Sequence, residues 1–157
     1  CHTYHHLFNM NIACLRFFTV YGPRQRPDLA INKFTSLILE DKEIPFYGDG
    51  TTSRDYTFIE DIVSGIVASI NYINTGERIF EIFNIGGDKT VSLIEMVETI
   101  EEVLGKKAKL NRLSMQAGDV NRTCADIRYS NKILGYVPKT SFKDGIIKFV
   151  KWKKNKM

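Results

Sequence analysis

The alternation of apolar and polar positions divides this chain into short strands and longer helices. Ala13-Cys14-Leu15, followed by Phe17, Phe18, Val20 and Tyr21, predicts an extended strand covered on both faces. Gly22-Pro23 stops it, because proline has no N–H to give a ladder and glycine frees the turn. Ala30, Phe34, Leu37 and Ile38 recur at helical spacing, and the pattern fades at Glu40-Asp41-Lys42. Ile44-Pro45-Phe46-Tyr47 reads as a short strand that Pro45 confines to an edge or a strand start, and Gly48-Asp49-Gly50 turns the chain. Arg54 to Phe58 alternates polar and aromatic side chains as one half-buried strand does. From Ile59 the period lengthens, and Ile62, Val63, Ile66, Val67 and Ile70 line one face of a helix.

Phe80 to Ile85 is another strand, closed by Gly86-Gly87. Ser92 with Glu95 forms a capping box, in which the serine oxygen takes an orphan amide and the glutamate reaches back. The helix it opens buries Leu93, Met96, Val97, Ile100 and Leu104 and ends at Gly105 in a left-handed conformation. A strand from Leu110 to Met115, a polar turn over 116–119, a short helix from about Ser130 to Gly135 and a last helix from about Phe142 complete the pattern. Residues 1–10 read as a helix, so helices and strands alternate throughout and the fold class is α/β.

The length suits about one domain, and no apolar run is long enough to span a bilayer. The net charge of +4 is largely a tail, since Lys148, Lys151, Lys153, Lys154 and Lys156 crowd the end of the last helix. Lysines there complement the helix dipole; with no accompanying motif they do not indicate nucleic acid. Cys1, Cys14 and Cys124 are odd in number and widely spaced, which argues against a disulfide framework or zinc site and for a reducing, cytoplasmic compartment, and no signal peptide is expected. His2 and His6 have the spacing of a zinc helix, but Thr3 stands where the general-base glutamate would be and no further ligand follows, so no metal site is expected. The chain opens on Cys1, inside what reads as a helix, and is expected to be a piece of something longer.

There is no glycine-rich dinucleotide fingerprint, nucleophile elbow or P-loop. What remains is a scatter of anion grips and aromatic plates: Arg24, Arg26, Phe46, Tyr47, Arg54, Arg122 and Asp119. Arginines for phosphates, a plate for a base and a carboxylate for hydroxyls together suit a nucleotide sugar. Singly, each has a plainer reading: Arg24 and Arg26 as a solvated loop, Phe46 as core, Arg54 in a salt bridge to Asp55 or Glu60, and Asp119 as a turn or cap.

Six blocks in one order are more specific. Arg16-Phe-Phe-Thr-Val-Tyr-Gly-Pro23, Arg26-Pro-Asp28, Ile44-Pro-Phe-Tyr-Gly-Asp-Gly50, Arg54-Asp-Tyr-Thr-Phe-Ile59 with Asp61, Asn84-Ile-Gly-Gly87 and Gln116-Ala-Gly-Asp-Val120 resemble the carboxyl-terminal half of the NAD-dependent sugar-nucleotide epimerase/dehydratase family, the extended short-chain dehydrogenases. The resemblance covers essentially the whole chain and is nearest to the UDP-glucuronate and UDP-glucose 4-epimerases. It implies the substrate-binding portion of an extended Rossmann-type epimerase whose dinucleotide-binding core is missing: residues 1–22 would be the end of the catalytic-helix region and one Rossmann strand, and 23–157 the nucleotide-sugar domain. The catalytic Tyr-x-x-x-Lys would precede Cys1, so this chain would hold no catalytic residue and be inactive alone, with NAD bound mainly by the missing half.

By position, the resemblance puts Phe17 and Phe18 beside the nicotinamide, Phe46 and Tyr47 beside the uracil, Arg54 on the pyrophosphate and Asp119 on the ribose hydroxyls. Gln116 stands where many members have arginine. Thr19 with Arg26 resembles the pair that holds the substrate carboxylate in the UDP-glucuronate subgroup, and an arginine beside a hydroxyl does suit a carboxylate. The implied partner is a UDP-sugar, turned over through a 4-keto intermediate by a homodimer with no membrane or nucleic-acid role. A dehydratase or decarboxylase of the same family, or a non-catalytic binding module, are the alternatives. One structural expectation follows: the strand from Cys14 to Tyr21, without its sheet neighbours, should have apolar faces that are covered by a second copy or displaced.

Overall fold

Among the described residues, every β-ladder joins segments that are distant in the chain. The computed structural model describes residues 1–115 and 118–156. In order, the elements are α1 (His2–Phe8), β1 (Ile12–Phe17), β2 (Thr19–Tyr21), α2 (Ala30–Leu39), β3 (Glu43–Tyr47), β4 (Ser53–Arg54), β5 (Tyr56–Phe58), α3 (Ile59–Ile73), β6 (Phe80–Ile85), β7 (Val91–Ser92), α4 (Leu93–Leu104), β8 (Lys109–Leu113), α5 (Arg128–Leu134) and α6 (Phe142–Lys154). The strands pair in twos: β1 with β6, β2 with β5 and β3 with β8 in parallel, and β4 with β7 antiparallel. The α/β class is the one the pattern predicts.

The expected strand from Ala13 to Tyr21 is two strands in two sheets. β1 follows β6 from Ile12 opposite Phe80 to Phe17 opposite Ile85. Phe18 N still donates to Ile85 O at 3.3 Å, but Thr19 N donates to Asp55 O at 3.0 Å, so the chain changes partner between consecutive amides. The reason lies in β6, which ends at Ile85 and offers β1 nothing further to pair with. Nor is β1 covered on both faces: Ile12 to Leu15 are half-buried, and Arg16 and Phe17 are exposed. β6 lies along one edge of β1, and no strand lies along the other among the described residues.

Arg54 to Phe58 is likewise broken, at Asp55. That side chain is fully buried, its Oδ1 accepting from Gly87 N at 2.7 Å and from the Thr57 hydroxyl at 2.8 Å, its Oδ2 from Ala125 N at 3.0 Å. The alternation of the segment continues through Asp55, but the chain leaves the β4–β7 ladder for the β2–β5 ladder there.

Two apolar clusters fill the interior. Tyr21, Phe34, Ile44, Phe46, Phe58, Met96 and Phe149 belong to the one on which α2, α4 and α6 pack. Ile62, Phe83, Ile85, Ala125, Ile127 and Tyr136 form the other, to which Ala13 and Leu15 of β1 add. A cut after residue 22 would therefore separate β1 from its partner β6 and from α3.

α3 departs from its predicted face. Val63, Val67 and Ile70 are about half exposed, at 47%, 50% and 49%, while the inward stripe is Asp61, Ile62, Gly65 and Ser69. A Cβ on Gly65 would stand 2.8 Å from Ile85 Cγ2, so the helix lies too close to β6 for a larger residue. Asp61 accepts from Lys139 N at 3.0 Å and Thr140 N at 3.1 Å, which fastens the lead-in of α6 to the first turn of α3.

The helix ends follow their signals. Ser92 Oγ accepts from Glu95 N at 3.1 Å, and Gly105 and Gly135 end α4 and α5 at φ 67° and 63°. In α1, His5 Nδ1 donates to Met10 O at 2.8 Å, and the rings of His2 and His5 pack on Phe80. Among the described residues no three His, Cys, Asp or Glu side chains are grouped to hold a metal.

Candidate functional site

The smaller of two neighbouring clefts gathers three of the groups that the sequence singled out, Tyr47, Arg54 and Asp119. Its volume is about 230 Å³, and Tyr47, Arg54, Tyr56, Asp119, Asp28 and Lys33 are among its walls. Tyr47 ends β3, Arg54 ends β4 and Tyr56 starts β5. Asp119 arrives from elsewhere: the segment 121–123 runs beside β4, with Ser53 N donating to Asn121 O at 2.9 Å and Thr123 N donating to Ser53 O at 3.2 Å. That pairing brings Asp119 onto Arg54, and the two form an ion pair with side chains 21% (Arg54) and 39% (Asp119) exposed.

Arg54 therefore pairs with neither Asp55 nor Glu60. Asp55 turns into the core, and Glu60 pairs with Lys148 at 2.6 Å. The cleft balances two cations, Arg54 and Lys33, against two carboxylates, Asp28 and Asp119. Burial pushes the Tyr56 phenol above its usual range, so it keeps its proton at neutral pH and can donate to a ligand oxygen.

Phe46 is not a wall of this cleft. It is 1% exposed, in the core beneath, with the Arg112 guanidinium 5.2 Å from its ring centroid. A Cβ on Gly50 would stand 2.5 Å from the Phe46 ring, and Gly50 takes φ 87°, so the glycine turn is what lets the loop pass over the ring. Gln116 lies outside the described residues.

The second cleft, about 380 Å³, lies behind the loop that follows β2. Val20, Tyr21, Leu29 and Ile59 give it an apolar lining, with Gly22 and the run Arg24 to Arg26 at its edge. Gly22 adopts φ 137°, and a Cβ there would stand 2.7 Å from Ile59 Cγ2. Arg26 donates to Asp28 Oδ2 at 3.0 Å, with both side chains largely in water at 73% and 64% exposed. Since Arg26 lines one cleft and Asp28 the other, this pair stands on the ridge between them.

Thr19 lines neither cleft. It is half-buried and stands opposite Tyr56 in the β2–β5 register, next to a wall of the smaller one. Thr19 and Arg26 are thus not brought into a common cleft. Phe17 is 48% exposed at the carboxyl end of β1, and Phe18 is half-buried against the second cluster.

Two walls, Asp28 and Tyr56, stood inside recognised blocks without an assigned part. Lys33 had no signal at all, because its place depends on how α2 packs. An exposed aromatic ring at the carboxyl end of a parallel strand pair, where ligands of open α/β sheets sit, fits the flat ring of a nicotinamide. The Gly86-Gly87 turn does not fit a dinucleotide diphosphate, because Asp55 and Ala125 already occupy the space a glycine cradle would offer.

The family model described as the NAD dependent epimerase/dehydratase family matches residues 1–86. An uncharacterized protein of Methanocaldococcus jannaschii is 47% identical over 151 residues, covering 96% of this chain and 45% of its own length. The UDP-glucuronate 4-epimerase of Thermodesulfobacterium geofontis is 42% identical over 154 residues, 98% of this chain and 46% of that protein. Among solved structures, the UDP-glucuronic acid 4-epimerase of Bacillus cereus in complex with UDP-glucuronic acid and NAD superposes with a TM-score of 0.92 at 39% identity, over 100% of this chain and 49% of that one. The chain spans about half the length of the curated relatives it matches.

Proposed function

This chain belongs to the NAD-dependent epimerase/dehydratase family, and we propose that it is the nucleotide-sugar-binding half of a UDP-sugar 4-epimerase, with UDP-glucuronate as the favoured substrate. The observation that carries this reading is the smaller cleft, where Tyr47, Arg54 and Asp119 converge from three separate segments. An aromatic wall for the uracil, a guanidinium for the diphosphate and a carboxylate for the ribose hydroxyls are the three recognition elements a UDP group needs. Tyr47 takes the part of the uracil plate by itself, and Phe46 supports it from the core.

The sugar would extend from the diphosphate towards the ridge at Arg26 and Asp28. Arg26 would exchange its Asp28 partner for the uronate carboxylate, a swap of one exposed carboxylate for another. Thr19 would contribute its hydroxyl from β2. Phe17 would border the nicotinamide of NAD, which when bound supplies a hydride acceptor and donor at the sugar's C4. No Tyr-x-x-x-Lys occurs in residues 1–157, so the proton at the 4-hydroxyl would need a group from outside this sequence, and the chain by itself would not turn substrate over. We place this activity in the cytoplasm, in a homodimer.

Calorimetry with the 157-residue chain tests the reading. UDP and UDP-glucuronate should bind saturably, UDP-glucuronate more tightly than UDP-glucose, and NAD weakly or not at all. Equal affinity for the two sugars, unchanged by Arg26→Ala, would remove the uronate assignment; micromolar NAD binding would remove the division of labour.

A further inference from the structure

The loop that bears Arg26 is held by a chain of polar contacts that starts at the opposite end of the sequence. Gln25 anchors the loop: its N donates to Gly22 O at 3.1 Å and its Nε2 to Val20 O at 3.1 Å. Asn32, 4% exposed in α2, grips Gln25 twice, Nδ2 donating to Gln25 O at 2.6 Å and the backbone N donating to Gln25 Oε1 at 3.2 Å. The remaining polar atom of that side chain, Oδ1, accepts from Lys153 Nζ in the last turn of α6.

Lysine ordinarily extends its ammonium into water. Lys153 is instead half-buried and directs it at an amide oxygen. An ammonium has donors only, so it fixes which end of the asparagine amide faces it. With Oδ1 committed to Lys153, Nδ2 must face Gln25 O, and the loop is held in the one orientation this allows.

We propose that Lys153 is a positioning residue for the Arg26 loop: through Asn32 and Gln25 it aims Arg26 at the carboxylate of the bound uronate. The inference rests on the reading of Arg26 given above, and it assigns the lysine-rich terminal helix a part in sugar selection that no residue of the cleft reveals.

Three variants of the full chain test it. Lys153→Met keeps the aliphatic stem without the donor, Lys153→Arg keeps a cationic donor, and Asn32→Asp keeps the acceptor for Lys153 while losing the N–H that holds Gln25. Amide hydrogen exchange is read at Gln25 and Leu29, whose N–H groups close the loop on Gly22 O and Arg26 O, with Gly105 as a control remote from it. Lys153→Met and Asn32→Asp should each speed exchange at the two loop amides about fivefold or more, as loss of one supporting hydrogen bond implies, and should weaken UDP-glucuronate with UDP unaffected. Lys153→Arg should retain most of both properties. Unchanged loop exchange in Lys153→Met and Asn32→Asp overturns the relay, and faster exchange with both ligands weakened alike overturns its role in selection. If the unsubstituted chain does not prefer UDP-glucuronate to UDP-glucose, the reading of Arg26 fails by itself, and the exchange data still decide the relay.

Discussion

Arg54 and Asp119, 65 residues apart in the chain, hold one another across the smaller cleft. Under the proposed function, a diphosphate that took the guanidinium would release the carboxylate to accept from ribose hydroxyls. On that reading the pair would be a pre-formed clamp whose halves exchange partners together.

Arg54→Gln should weaken UDP binding by about 1.5–3 kcal/mol, the value of a hydrogen bond to a charged group, or roughly tenfold to a hundredfold. Asp119→Asn removes an acceptor but also the competitor for Arg54, so its loss should be the smaller of the two. Titration calorimetry with UDP ranks them, and a larger loss in Asp119→Asn would contradict the exchange of partners.

Asp55→Ala should destabilise the fold by about 3 kcal/mol or more, because it leaves Gly87 N, Ala125 N and the Thr57 hydroxyl unpaired in the interior. Asp55→Asn should cost less, keeping one acceptor oxygen while turning an amide N–H against a donor. Urea midpoints measure both.

Gly145→Ala sets helix propensity against packing. At the fourth position of α6 the substitution would ordinarily gain up to about 1 kcal/mol. Here the new methyl would meet the Tyr21 hydroxyl, whose ring also lies within 2.9 Å at Cε2, and overpacking of that kind costs about 1–3 kcal/mol. The net effect should be a lower melting temperature, and Tyr21→Phe in the same chain should recover only part of it because ring carbons still obstruct.

Burial, with the field of Asp61 second, raises the pKa of both Tyr21 and Tyr136, whose hydroxyls donate to Phe142 O at 3.1 Å and Gly86 O at 3.0 Å. Both phenols hold their protons more tightly when folded than when unfolded. Their contribution to stability is therefore complete below the ordinary tyrosine pKa of about 10 and is lost as pH rises beyond it towards the folded values. Stability should fall steeply in alkali, and Tyr136→Phe should make that fall shallower; chemical denaturation across alkaline pH tests the sign. Asp126 behaves oppositely: its hydrogen bonds from Arg128 hold its carboxyl down at about 2, so that contact should persist into strong acid.

Local signals were legible where local chemistry decides. Ser92, Gly105 and Gly135 mark helix ends because capping involves residues adjacent in sequence. The breaks at Phe18 and Asp55 were not legible, because each is set by partners far along the chain: β6 ends at Ile85, and Asp55 answers to Gly87 and Ala125. Val63, Val67 and Ile70 misled because apolar character does not guarantee burial; Gly65 and Ser69 take the close approach instead. In the cleft, Tyr47, Arg54 and Asp119 were each visible as chemistry, whereas the Arg54–Asp119 pairing depends on how Ser53 docks the segment after it. Phe46 and Tyr47 look equivalent in sequence, and only the pleat of β3 separates core from wall.

The strand pairing also governs how the chain is made. Ile12 must wait for Phe80, and Glu43 for Lys109; none of the four ladders is a hairpin. When the 157-residue chain is made by itself, at typical synthesis speeds of about 5–20 residues per second, an emerging β1 waits several seconds for β6, with its apolar side chains open to other nascent chains. Helices such as α2, and the β2–β5 ladder, can form within that interval, whereas the β1–β6 ladder cannot begin. Yield on expression should therefore respond to temperature and to chaperone supply more than to any surface charge, since the vulnerable species is an unfinished one.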